Sequence, residues 1–64
     1  MLDLIIQSYL SQDMAGSARN MDEAKKSSAT LATNLQMRDA EMFSFFDLNE
    51  IESAIAEYLL GGAS

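Results

Sequence analysis

The 64-residue chain contains no cysteine, no histidine, no proline and no tryptophan. Without cysteine there is neither a disulfide framework nor a thiolate nucleophile, and without histidine no imidazole base. The usual zinc ligands are missing with them. Lysine and arginine together number four against ten acids, a formal charge of -6. So acidic a balance predicts no nucleic-acid partner, because holding a phosphate backbone needs clustered cations. No apolar run exceeds three residues, as at 4–6 and 58–60, whereas a bilayer span needs about 20. Asp3 stands where a signal peptide would carry Lys or Arg. The expectation is a cytoplasmic protein with no membrane span, with export by a route that needs no cleaved signal left open.

Hydrophobic residues make up 48% of the chain, which excludes a disordered composition. The length allows one small domain, and such a chain buries only about 60% of its unfolded surface. A core of that size without disulfide or metal is marginal, and a partner chain or self-association is the usual remedy.

Periodicity predicts helices throughout. Leu2, Ile5, Ile6, Tyr9 and Leu10 share one helical face opposite Asp3, Gln7 and Ser8, predicting a helix over 2–13. Gly16 marks a kink or a turn after it. Whether residues 1–16 form a separate helix or run on into the next is open on this pattern. From Leu10 onward a four-three spacing runs through Met14, Ser17, Met21, Ala24, Ser28, Leu31, Leu35, Arg38, Met42 and Phe45. It predicts one long heptad-like helix over 17–42. The small residues on its seam are poor for an isolated two-stranded coil and good for close approach to another helix. Asp22 and Glu23 are spaced to support Lys26 on the outer face.

The last helix, over 48–60, has the clearest boundaries. Asp47 and Glu50 form a capping-box pattern, and Phe46 with Ile51 has the spacing of a hydrophobic staple. Leu48, Ile51, Ile55, Tyr58 and Leu59 make its apolar stripe, and Gly61 falls where a left-handed cap belongs. Between the last two helices, Met42, Phe43, Phe45 and Phe46 form the most hydrophobic cluster, suited to plugging a hairpin. The fold class is therefore all-α: a small helical hairpin or a three-helix arrangement in one domain over 1–64.

Charge is unevenly placed. Residues 1–38 hold all four bases and four acids, while Asp39, Glu41, Asp47, Glu50, Glu52 and Glu57 follow without a base. A one-signed segment orients a molecule toward a basic partner; an acidic face also serves plain solubility.

Chemistry is hard to place on so small a chain. A calcium loop begun at Asp47 has Ile51 at its fifth position and Glu52 at its sixth, where an oxygen ligand and a glycine are needed. Glu50 and Glu57 could act as an acid–base pair only in a desolvated cleft, which two or three short helices scarcely offer. The expectation is a non-enzymatic chain with no catalytic residues, no metal and no cofactor.

Five methionines suit either an adaptable core or a surface that re-packs around a partner helix. The C-terminal Leu59-Leu60-Gly61-Gly62-Ala63-Ser64 resembles the leaders of double-glycine-processed bacterial peptides and small modifiers that expose a diglycine. Only two residues follow Gly62, and Ala56 stands where such leaders carry a bulky apolar residue. A helix cap accounts for the same glycines. The stretch Ile51-Glu52-Ser53-Ala54-Ile55-Ala56 resembles the second helix of the small co-chaperones of type III secretion needle subunits. That resemblance implies a short helical hairpin that pairs with a larger chaperone and keeps an aggregation-prone subunit monomeric.

Together these readings predict a helical interaction module that binds another protein's helix and is open to homo-oligomerisation. Met14, Met21, Leu31 and Leu35 would lie on the long stripe, with Leu48, Ile51, Ile55 and Leu59 facing them and Phe43, Phe45 and Phe46 locking the junction. The alternatives are a self-assembling subunit of a helical filament and a peptide substrate or carrier read through its diglycine tail.

Overall fold

The computed structural model describes residues 1–61. It is all-α: α1 (Leu2–Tyr9), a 3₁₀ turn (Gln12–Met14), α2 (Met21–Arg38), α3 (Ala40–Phe43) and α4 (Leu48–Leu59). α4 is the hub, packed against both α1 and α2, while α3 adjoins the end of α2. At 18 residues, α2 is about 27 Å long, most of the 31 Å long axis.

The core consists of Ile6 from α1, Ala24, Ala32 and Leu35 from α2, Phe43 from α3, and Ile51, Ile55, Ala56, Tyr58 and Leu59 from α4. The inward face of α2 is small, so its backbone can approach α4 closely. Ser28 is the one buried polar side chain among the described residues, and its hydroxyl donates to the Lys25 carbonyl at 3.0 Å. That bond removes the cost of burying an unpaired hydroxyl.

Three boundaries differ from the sequence expectation by four residues each. The first helix stops at Tyr9, not at 13, because Leu10 turns extended and the Ser11 hydroxyl caps a separate 3₁₀ turn by accepting from the Asp13 N–H. Residues 1–16 are thus not continuous with the long helix. That helix begins at Met21, not at 17. Gly16 lies at φ +73°, in the left-handed region open to glycine. Asn20 is extended and its side chain accepts from the Glu23 N–H at 2.9 Å, fixing the start. The helix also ends at Arg38, not at 42. The Asp39 carboxylate accepts from the Met42 N–H at 3.2 Å and starts α3 on a new axis, a local bond competing with helix continuation. The heptad-like stripe over residues 10–45 is accordingly broken at both ends. Its Met21, Arg38, Met42 and Phe45 positions are exposed, and Ala32, off the stripe, is buried instead.

The last helix keeps its expected start. Asp47 and Glu50 form the capping box, with the Glu50 carboxylate accepting from the Asp47 N–H at 3.1 Å. It ends at Leu59, followed by Leu60 as its C-cap and by Gly61 at φ +85°.

Candidate functional site

The end of α4 is closed by a distant segment. The last four carbonyls of any helix lack partners within it. Here the Tyr58 carbonyl accepts from Gly16 N–H at 3.1 Å and the Leu59 carbonyl from Ala18 N–H at 2.9 Å. The Tyr58 hydroxyl donates to the Ser11 carbonyl at 3.2 Å. Residues 11–18 therefore form a strap whose backbone caps α4. Gly16 and Gly61 meet there: a Cβ added to Gly61 would lie 3.5 Å from the Gly16 Cα. Gly61 acts as the expected cap; the rest of the diglycine tail, from Gly62 onward, lies outside the described residues.

A second tie joins α1 to the α2–α3 corner. The Tyr9 hydroxyl donates to the Asp39 carboxylate, its ring meets Phe43 edge-on at 5.1 Å, and the Arg38 guanidinium lies 5.8 Å from the ring centroid. That hydrogen bond raises the Tyr9 phenol above its usual pKa and lowers the Asp39 carboxyl below its own. These four side chains form a structural joint that sequence reasoning missed, since the contacting residues are 30 positions apart.

The expected partner-binding residues divide into three groups. Leu35, Phe43, Ile51, Ile55 and Leu59 fill the core of this chain; the expected pairing of the long stripe with the last helix is thus an internal contact, and these five side chains present nothing outward. Met14, Leu31 and Phe46 are partly buried against that core. Met21, Phe45 and Leu48 are exposed, Met21 at 52% and Phe45 at 80%. Phe45 therefore does not lock the junction: Phe43 alone of the three phenylalanines is enclosed. The structure adds Met1, Leu4, Met37, Met42 and Leu60 to the exposed large apolar side chains.

Two grooves flank α4. One, against α1, is lined by Leu2, Asp3, Glu50, Ala54, Glu57 and Tyr58 among others. The other, against α2, is the more apolar, lined by Met21, Ala56 and Leu60 with Lys25 from α2 and Glu52 and Glu57 from α4. Asn49, Ser53 and Glu57 border both, so they form the ridge between them. Met14 and Leu31 line a shallower hollow with Lys26.

Among the described residues the only ion pair joins the Met1 ammonium to Asp3 at 3.1 Å. Lys26 pairs with neither Asp22 nor Glu23; the Glu23 carboxylate turns back to accept from the Arg19 N–H at 3.1 Å. Also among the described residues, no helix is long and apolar enough to cross a membrane, and no cluster of three or more His, Cys, Asp or Glu is placed to hold a metal ion. No protein-family model matches this chain, nor does any curated protein or solved structure.

Proposed function

We propose that the chain is a non-enzymatic helical module that binds another protein, as an adaptor, co-chaperone or small regulator. One observation carries this reading. After α4 has gathered a core from every helix, Met1, Leu4, Met21, Met37, Met42, Phe45, Leu48 and Leu60 still stand exposed. Scattered apolar side chains are ordinary on a protein surface. Eight large ones on a domain this small, four of them adaptable methionines, give it material for receiving a partner. The partner meets a formed domain, because the best apolar residues of the last helix are already enclosed. The co-chaperone form of the reading rests on residues 51–56, of which Ile51, Ile55 and Ala56 serve the core.

The test compares the immobilised chain with a Met21→Ser/Phe45→Ser variant in extracts of the cells that make it. Both positions are exposed, so circular dichroism should be unchanged while a defined partner is lost. Recovery of the same proteins by both forms would contradict the reading. So would light scattering that grows without limit with concentration, the mark of a filament subunit.

A further inference from the structure

The groove between α2 and α4 combines an apolar strip with an unbalanced rim. Met21 from the start of α2, Ala56 from within α4 and Leu60 from its end provide the strip. Glu52 and Glu57 line it from α4 and Lys25 from α2. Neither glutamate belongs to an ion pair among the described residues. No basic residue lies anywhere in 39–64, so the α4 side carries uncompensated negative charge. Resting on the interaction-module reading, we propose that this groove receives an amphipathic helix of a basic partner protein, with apolar residues against Met21, Ala56 and Leu60 and Lys or Arg beside Glu52 and Glu57.

Two physical points select that occupant. An amphipathic helix laid in a groove presents apolar anchors at i, i+3/i+4 and i+7 with polar residues at its borders; the apolar strip and charged borders here match that arrangement. The sign follows from the rim: two carboxylates against one ammonium favour cations, and within about 8 Å of a charge physiological salt leaves that preference largely intact. A second copy of this chain fits worse. It would bring one acidic α4 face against another, and opposing like charges disfavour association.

The probes are two labelled 18-residue helical peptides, one of leucine and lysine and one of leucine and glutamine, titrated into the full chain and followed by fluorescence anisotropy. The Leu/Lys peptide should bind about tenfold more tightly than the Leu/Gln peptide, a gap set by the rim charges. E52Q/E57Q should remove that gap. E41Q/D13N, an equal change of net charge outside the groove, should alter either affinity less than about twofold, as expected for distant, screened charges. M21S/L60S should weaken both peptides alike. Equal losses in the two charge variants would overturn the proposal by showing attraction to net charge alone. Equal binding of the two peptides, lost in M21S/L60S, would overturn the basic partner and leave the module standing. Binding of neither peptide would overturn the groove proposal, while the module reading, which also rests on Met37, Met42, Phe45 and Leu48 outside the groove, stands or falls by its own test. Dimerisation abolished by M21S/L60S would assign the groove to a second copy and overturn the proposal as well.

Discussion

Gly61 occupies a backbone conformation that any L side chain would strain, at φ +85°. Gly61→Ala should therefore cost about 1–2 kcal/mol, the left-handed penalty for an L-residue, as measured by urea unfolding. An alanine variant as stable as the parent would show that α4 does not end in this cap. Ile55 makes the complementary case, being fully enclosed on the inner face of α4. Ile55→Val should lose about 0.5–1.5 kcal/mol through one missing methylene. Ile55→Asp should leave the chain unfolded, because a buried unpaired carboxylate costs more than so small a core supplies. A helical, cooperatively melting Ile55→Asp protein would contradict the assignment of that face.

Helix starts depend on caps, and here the sequence was legible to different degrees. Asp47 with Glu50 was readable because both capping partners are local, and the structure uses them at 3.1 Å. The same signal exists at Asn20 and Glu23, but the apolar spacing of Met14, Ser17 and Met21 masks it and places the start of α2 too early. Asn20→Ala should accordingly cost about 1 kcal/mol, the ordinary value of an N-cap, seen as a lower melting temperature. No loss would mean that the helix starts elsewhere. The break at Asp39 and the strap over 11–18 were not legible either. The strap depends on bonds from Gly16 and Ala18 to the distant end of α4, which periodicity cannot register, and the local cap of Met42 N–H by Asp39 is masked by the apolar spacing that runs on to Met42 and Phe45. The candidate site suffered the same way. Spacing identified apolar side chains, yet only packing decides which are enclosed: Leu35, Ile51, Ile55 and Leu59 turned inward while Met21, Leu48 and Phe45 stayed out.

For the whole molecule, the joint at Tyr9 couples folding to pH. Asp39 is held below its ordinary pKa chiefly by the Tyr9 hydroxyl, so its stabilisation is present above the ordinary carboxylate value. It is lost as pH falls through the lowered one. Tyr9 is raised, chiefly by Asp39, so its stabilisation is present below the ordinary phenol value and lost as pH rises through the raised one. Tyr9→Phe should make the chain less stable at neutral pH and flatten both limbs of the stability profile. Some acid dependence should persist, since the terminal ammonium also lowers Asp3. An unchanged profile would remove the joint from the account. Charge acts at the same scale on recognition, since the segment that supplies α4 carries all of the uncompensated negative charge. The most direct measurement of how the molecule binds is an amide chemical-shift map of the chain titrated with the leucine–lysine helix. The account predicts shifts at Met21, Ser28, Ser53, Ala56 and Leu60, with Ile6 and Phe43 unmoved. Shifts spread through the core, or confined to the turn around Phe45, would contradict it.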